Sequence, residues 1–327
     1  MRRFLPLFLC LLLLPAAALA QGQAVTLGVC IYNGDDTFMA SVLKVIQNEA
    51  RGRATLSVCD GQNDQNLQND QIEALLKSGV NALIINPVDR TAAIYQLQMA
   101  MQYDTPVVLI NREPIREDLS IYDRAYYVGI DPKQQGLLAG RLAADYFLAH
   151  PEADSNGDGK MQLVLFRGEP GHQDAELRSF YAIRALQDAG VALDVLSEEV
   201  AMWERTQAQE RMSVLLNAYP NRIECVIANN DDMALGAIDA LKAAGYFSGG
   251  RYMPVLGNDA TLPALEALLQ GSLYATVSNN AEQQGSAALT LAMLLATGEA
   301  VTPENFPYQM EGKFVYINSS YYRTEQK

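Results

Sequence analysis

The most specific local pattern in the chain is Asp154-Ser155-Asn156-Gly157-Asp158-Gly159-Lys160-Met161-Gln162. Oxygen-bearing side chains stand at its first, third and fifth positions. Glycine is sixth, where a sharp turn is needed, and the seventh residue, Lys160, need offer only its carbonyl. This is the opening of a calcium loop. Gln162 supplies another oxygen at the ninth position, but the twelfth is Leu165, where a helix-loop-helix site carries a bidentate Glu. A strand follows instead of a helix, so the missing carboxylate must arrive from elsewhere in the fold. Glu224, at the head of another strand, is the candidate. The expected ligands are Asp154, Asn156, Asp158, Lys160, Gln162 and Glu224, holding Ca2+ in a structural role with no open position. The plain alternative is a solvated turn rich in Asp and Gly.

A second set of residues shares a position relative to the elements. Just beyond apolar, strand-like runs stand Tyr32, Asp35, Asp36 and Phe38; Asn111 and Arg112; His172, Asp174 and Arg178; Asn230 and Asp231; Asn258 and Asp259; and Asn279 and Asn280. Trp203 is the only tryptophan. Carboxylates and amides bridge adjacent hydroxyls, Arg donates as a planar fork, and aromatic rings stack on apolar C–H faces. That inventory suits a sugar ring. Each residue also has a plainer use. Asp35 or Asp36 must cap the helix that follows, capping as the sole role being the stronger reading for Asp35 than for Asp36, and Asn230, Asp231, Asp259 and Asn279 could cap helices or turns. Phe38 and Trp203 could be core aromatics, and His172 and Arg178 could join surface ion pairs. The common position after strands favours the binding role.

Other chemistries lack their signatures. No G-x-G-x-x-G or G-x-x-x-x-G-K-[ST] run offers a phosphate cradle. The only histidines are His150 and His172, and no G-x-S-x-G or H-E-x-x-H occurs, so no catalytic residue is assigned and the chain is expected not to be an enzyme. A glycosidase, needing only two carboxylates, is the enzyme alternative. A net charge of −14 argues against nucleic acid as a partner, because that affinity comes from clustered Lys and Arg.

The elements that carry these residues alternate strand and helix, the pattern of βα units on parallel sheets. Strands are expected at 25–31, 54–59, 82–85, 106–110 and 125–128, with helices at 38–50, 66–78 and 91–103. The alternation restarts after residue 131 with a helix to Leu148 and strands at 162–166, 191–195, 225–228, 253–257 and 274–277. A helix at 281–297 and a strand at 314–317 complete the chain. The 327 residues suit two α/β domains at about 150 residues each. In open parallel sheets, ligands collect beyond the carboxyl ends of the strands.

Arg2 and Arg3, an apolar run over 4–14 and Ala18-Leu19-Ala20 make a signal peptide over 1–20, so a periplasmic location is expected. Its removal leaves a charge of −16 and three cysteines, Cys30, Cys59 and Cys225. All three lie in apolar runs and read as free buried thiols. A Cys30 to Cys59 bridge would require neighbouring strands.

Taken together, these residues resemble the galactose/glucose-binding proteins of bacterial sugar transporters, within the type I periplasmic binding proteins. The likeness rests on Tyr32 through Phe38, Gln62-Asn63-Asp64-Gln65, Asn111-Arg112-Glu113-Pro114, the calcium loop, Gly168-Glu169-Pro170-Gly171-His172, Ala201-Met202-Trp203 and Ile227-Ala228-Asn229-Asn230-Asp231. The resemblance implies two Rossmann-like α/β domains with parallel-sheet cores, joined by three hinge crossings and closing on one pyranose. One lobe would comprise 24–130 plus 279–314, the other 131–278 plus 315–327 with the calcium site. Phe38 and Trp203 would sandwich the ring, and Asp36 would accept from the C4 hydroxyl. Asn111, His172, Asp174, Arg178, Asn230, Asp259 and Asn279 would take the other oxygens, with Tyr32 lining the cleft. The implied function is capture of D-glucose or D-galactose by a monomer that delivers it to the permease of an ABC importer, with presentation to a chemoreceptor as a further role. The alternative is a sensor subunit that presents bound sugar to a chemoreceptor or sensor kinase without transport. Asn33-Gly34, Asn258 and the loop at Ser248-Gly249-Gly250-Arg251 depart from the family pattern.

Overall fold

The structure is a computed structural model, and it describes residues 25–324. The signal peptide assigned to 1–20 lies outside the described residues. In the first half, β1 (Val25–Ile31), α1 (Thr37–Glu49), β2 (Ala54–Asp60), α2 (Gln65–Ser78), β3 (Ala82–Ile85), α3 (Ala93–Gln102), β4 (Val107–Ile110), α4 (Arg116–Leu119) and β5 (Ala125–Ile130) follow in order. The second half runs α5 (Pro132–Ala149), β6 (Lys160–Arg167), α6 (Gln173–Asp188), β7 (Ala192–Val200), α7 (Arg205–Ala218), β8 (Cys225–Ala228), α8 (Asp231–Ala243), β9 (Val255–Asp259), α9 (Leu262–Leu269) and β10 (Ala275–Ser278). The chain ends with α10 (Ala281–Thr297), β11 (Met310–Glu311), β12 (Phe314–Ile317) and β13 (Tyr321–Arg323).

Two sheets result, ordered β11-β12-β5-β4-β3-β1-β2 and β13-β10-β9-β8-β6-β7. Both are parallel except at one edge, where β11 and β13 run antiparallel to their neighbours. β3 and β4 are buried along their whole length, as strands covered by helices on both faces must be. Apolar clusters fill both faces of each sheet, so each lobe owns its core. Helix starts are set by side-chain caps, among them Asp64, Asp131 and Asn280, and α2 and α10 stop at Gly79 and Gly298 in the left-handed conformation.

The chain passes between the sheets three times: from β5 to α5, from β10 to α10, and from β12 to β13. The third crossing corrects the expected domain division. The expected division puts 315–327 in the second lobe, but residues 315–317 pair in parallel with β5 of the first sheet, and Tyr321–Arg323 reach the second, against β10. The apolar run Phe-Val-Tyr-Ile belongs in a covered sheet position, whereas the Tyr-Tyr-Arg strand is exposed at an edge. β7 is longer than expected, reaching Val200 instead of Val195. Its added residues Ser197, Glu198 and Glu199 are polar because β7 is an edge strand, where charge discourages further pairing.

Candidate functional site

The carboxyl ends of both sheets face one cleft. Between the lobes lies a cavity, partly open to solvent, lined by Tyr32, Asp36, Phe38, Met39, Asn111, Arg112, His172, Asp174, Arg178, Trp203, Asn230, Asp259 and Asn279. Every residue assigned to sugar binding from sequence therefore meets at one cavity. Met39 and Arg112 line it in addition to the expected set. Arg112 carried a signal, since it follows Asn111 at a strand end, but its role depends on the approach of the other lobe.

In the first lobe, Asp36 is the cap of α1, one of the two acids expected to serve there. Its Oδ1 accepts from the Met39 amide at 2.7 Å, and its Oδ2 accepts from the Tyr32 hydroxyl at 2.5 Å. Burial, followed by the Asp36 charge, pushes the Tyr32 hydroxyl well above its ordinary range, so it remains a donor. The Arg112 guanidinium lies 4.1 Å from the centre of the Tyr32 ring, donates to the Val88 carbonyl, and pairs with Glu169 of the other lobe at 3.0 Å. Gln173 also reaches across, donating to Glu113 at 3.3 Å. Asn111 adopts a positive φ of 61°, a conformation that Asn tolerates better than most residues. Its carbonyl accepts from the Tyr127 hydroxyl at 2.8 Å.

In the second lobe, Arg178 is the organising cation. It is 4% exposed and donates to Gln135 Oε1 and to the Asn229 carbonyl, each at 2.7 Å, and to Asp174 Oδ2 at 3.3 Å. Asp259 Oδ1 lies 3.9 Å away and accepts from Asn279 Nδ2 at 3.0 Å. Burial raises the Asp174 carboxyl above its ordinary range and the Asp259 carboxyl well above it; Arg178 opposes both shifts. Asp259 holds a positive φ of 115°, rare for a residue with a side chain and the kind of strain that clusters at functional sites. Asp231, weighed from sequence as a strand-end residue, lies beneath the cleft. It accepts from the Thr261 amide and from the Thr261 and Thr276 hydroxyls, and burial lifts its carboxyl to about 7.

His172 caps α6 through Nδ1, which accepts from the Asp174 amide at 3.1 Å. The free proton of the neutral ring then sits on Nε2. Burial, with Arg112, Arg178 and Arg90 adding to it, holds the imidazole well below its ordinary range. The unfolded state therefore binds more protons near pH 6.5, and this residue subtracts stability as pH falls through that point toward the depressed value. An NMR titration should place the His172 transition well below about 6.5, and His172→Gln should narrow the stability loss between pH 7.5 and 5.5. A transition at the ordinary value would contradict the burial argument.

Trp203 is presented by local strain and by a missing side chain. Met202 and Trp203 take positive φ values of 52° and 67°. A Cβ on Gly168 would stand 2.1 Å from the indole, so only glycine permits this packing. His172 meets the indole edge-on at 5.0 Å between ring centres. Asn230 has the plainer role considered for it as well as a place in the cleft. Its Oδ1 caps α8 through the Met233 amide, and its Nδ2 holds the Trp203 carbonyl at 3.0 Å. Phe38, 6% exposed, lines the same cavity from the opposite lobe.

The residues of the 154–162 loop gather elsewhere, at the start of β6. Asp154 accepts from the amides of Asp158 and Gly159, Asn156 Oδ1 from Asp158, and Asp158 Oδ1 from Lys160. Glu224, 4% exposed, reaches this loop as expected: Oε1 accepts from the Ser155 amide and hydroxyl, Oε2 from the Gln162 amide. The Gln162 side chain donates to Asp158 while its Oε1 is buried without a partner. Among the described residues, no group of three or more His, Cys, Asp or Glu side chains is gathered as a ready metal cage.

Comparison with known proteins gives this geometry a context. The profile of the periplasmic binding protein domain matches residues 27–300. The chain is 41% identical over 294 residues to the D-galactose/methyl-galactoside binding periplasmic protein MglB of Haemophilus influenzae, covering 89% of this chain and 87% of that one. It is 31% identical over 296 residues to a putative rhizopine-binding protein of Rhizobium meliloti, covering 89% and 91%. The solute-binding protein of an ABC transporter from Bacillus halodurans, solved with bound myo-inositol, superposes with a TM-score of 0.77 at 29% identity over 92% of this chain and 95% of that one. Two parallel-sheet lobes, three crossings, a polar cleft at the strand ends and these matches lead to one conclusion: the chain belongs to the periplasmic binding protein family.

Proposed function

We propose that this protein captures D-glucose or D-galactose in the periplasm and delivers it to the permease of an ATP-driven importer, with no bond made or broken. The observation that carries this reading is the composition of the cleft. Asp36, Asp174 and Asp259 offer acceptors; Arg178, His172 Nε2 and the amides of Asn111 and Asn279 offer donors; Phe38 and Trp203 bring apolar rings from opposite lobes. Mixed acceptors and donors around flat apolar walls match the edge hydroxyls and C–H faces of a neutral pyranose. A 41% identical relative named for galactose binding supports the same class of ligand. Closure is favoured because the groups that would hold the ring lie on both lobes and act together only when the lobes meet, which is a population shift toward the closed state.

Calorimetry against a panel of monosaccharides tests the reading. Saturable one-site binding of glucose or galactose is expected. Binding of neither at millimolar concentration would refute it.

We further propose that Ca2+ ties the 154–162 loop to β8, held by Asp154, Asn156, Asp158, the Lys160 carbonyl, Gln162 and Glu224. The buried, partnerless Gln162 Oε1 and the carboxylate of Glu224 against the loop support this assignment. A cation supplies no chemistry to the cleft and contributes stability by binding only the folded state, about 2.7 kcal/mol at a hundredfold excess over Kd. After chelation, added calcium should raise the melting temperature of the wild type and leave Glu224→Gln largely unresponsive. An unchanged wild-type melt would overturn the assignment.

A further inference from the structure

Cys30 and Cys59 occupy directly opposed positions on the adjacent parallel strands β1 and β2, so their side chains project to the same face of the sheet. Neighbouring strands lie about 4.8 Å apart, inside the range of roughly 4.4–6.8 Å over which Cα atoms can carry a disulfide. Both thiols are free. They differ in access: Cys30 is fully buried under α2, whereas Cys59 is partly exposed on the edge strand.

We propose that Cys30 and Cys59 form an oxidation site, in which Cys59 attacks an external disulfide and Cys30 resolves the mixed disulfide into a cross-strand bond. In the first step the Cys59 thiolate forms a bond to one sulfur of the external disulfide, and the other sulfur leaves as a thiolate. In the second, the Cys30 sulfur attacks the Cys59 sulfur of the mixed disulfide, the bond to the external sulfur breaks, and the departing thiolate takes up the proton that Cys30 releases and leaves as a thiol. Two cysteines are oxidised to one cystine, and one external disulfide is reduced to two thiols.

The asymmetry of the pair sets this order. The hydrogen bond from the Cys30 thiol lowers Cys59 to about 7, so a large fraction is thiolate near neutral pH. Its partner is raised, first by that same bond and then by burial. Cys225 is fully buried on β8 in the other sheet, and burial pushes its thiol up, so it stays outside the exchange. Cys30 stands two residues before Tyr32, and Cys59 directly precedes Asp60, which accepts from the Gly34 amide at 3.1 Å. The bond would therefore brace the strand ends that lead into the cleft. The proposal draws its oxidant from the exported setting assigned above, but the exchange is measured without that setting and without sugar. Its failure is therefore separable from failure of the binding reading.

The test uses the full folded chain, reduced, freed of reductant and incubated with oxidised glutathione. It is then quenched in acid, alkylated under denaturing conditions and mapped as peptides. The expected map has the Cys30 and Cys59 peptides joined and Cys225 alkylated. Cys30→Ala should accumulate a glutathione adduct on Cys59, and Cys59→Ala should carry neither adduct nor bridge. Alkylation of all three cysteines in the treated wild type, or a bridge that forms only when the protein is unfolded, would overturn the proposal. The wild-type map decides even if a variant fails to fold.

Discussion

Replacing Arg178 with Met is expected to lower the stability of the folded protein by about 3–5 kcal/mol at neutral pH and to abolish sugar binding. The guanidinium is 4% exposed and lies beside two buried carboxylates, Asp174 at 3.3 Å and Asp259 at 3.9 Å. Removing it leaves two buried carboxyl groups without their cationic partner, a cost much larger than that of a lost surface pair. The sign of the pH dependence follows from the same contacts. Arg178 opposes the upward shifts that burial imposes on Asp174 and Asp259. Without it both carboxyls rise further, the folded variant binds more protons than its unfolded chain over a wider window, and its stability falls more steeply as pH rises. Chemical denaturation at pH 5 and pH 7.5 should therefore find a larger deficit at the higher pH. An equal deficit at both would mean that packing, not charge, accounts for the loss.

Asp36→Ala is expected to weaken binding of glucose or galactose by about 1.5–3 kcal/mol, the range for a hydrogen bond to a charged group, or roughly 10- to 150-fold in Kd. It should also cost about 1 kcal/mol of stability, because Oδ1 caps α1 at the Met39 amide. Asp36→Asn separates the two roles. Asn caps as well as Asp, so the stability deficit should largely disappear while the charge-assisted bond to the ligand is still lost. Calorimetry and denaturation on both variants check this. Wild-type affinity in Asp36→Ala would remove Asp36 from the proposed binding set.

Much of the fold was legible because the signals were local. The helix at Ala281–Thr297 and the strands at Val25–Ile31 and Cys225–Ala228 have the expected bounds, each marked by an unbroken apolar pattern. The positions after strands were informative for a topological reason, since parallel sheets direct every carboxyl end to one side. What was missed depends on contacts distant in sequence. Whether Val315–Ile317 joins the first or the second sheet is decided by pairing with β5, almost two hundred residues earlier. The role of Arg112 comes from Tyr32 and from Glu169 of the other lobe. That Asp36, besides capping α1, takes a bond from the Tyr32 hydroxyl is likewise not revealed by spacing alone.

The cleft also explains why several of its residues carry two duties. Asp36, His172 and Asn230 are helix caps whose side chains line the cavity. A cap is held in place by the backbone amide it serves, so groups of this kind reach the ligand preorganised, with little further ordering to be done on binding. Arg178 gains the same rigidity from Gln135 and the Asn229 carbonyl.

Trp203 is the sole tryptophan, and it lies in the cleft opposite Phe38. Excited beyond the absorption of the tyrosines, its emission reports on the cavity it lines. Titration of glucose or galactose into the purified protein should give a saturable change in that emission, with a midpoint matching the calorimetric Kd. A flat signal across the range that calorimetry covers would contradict a ring held between the two lobes.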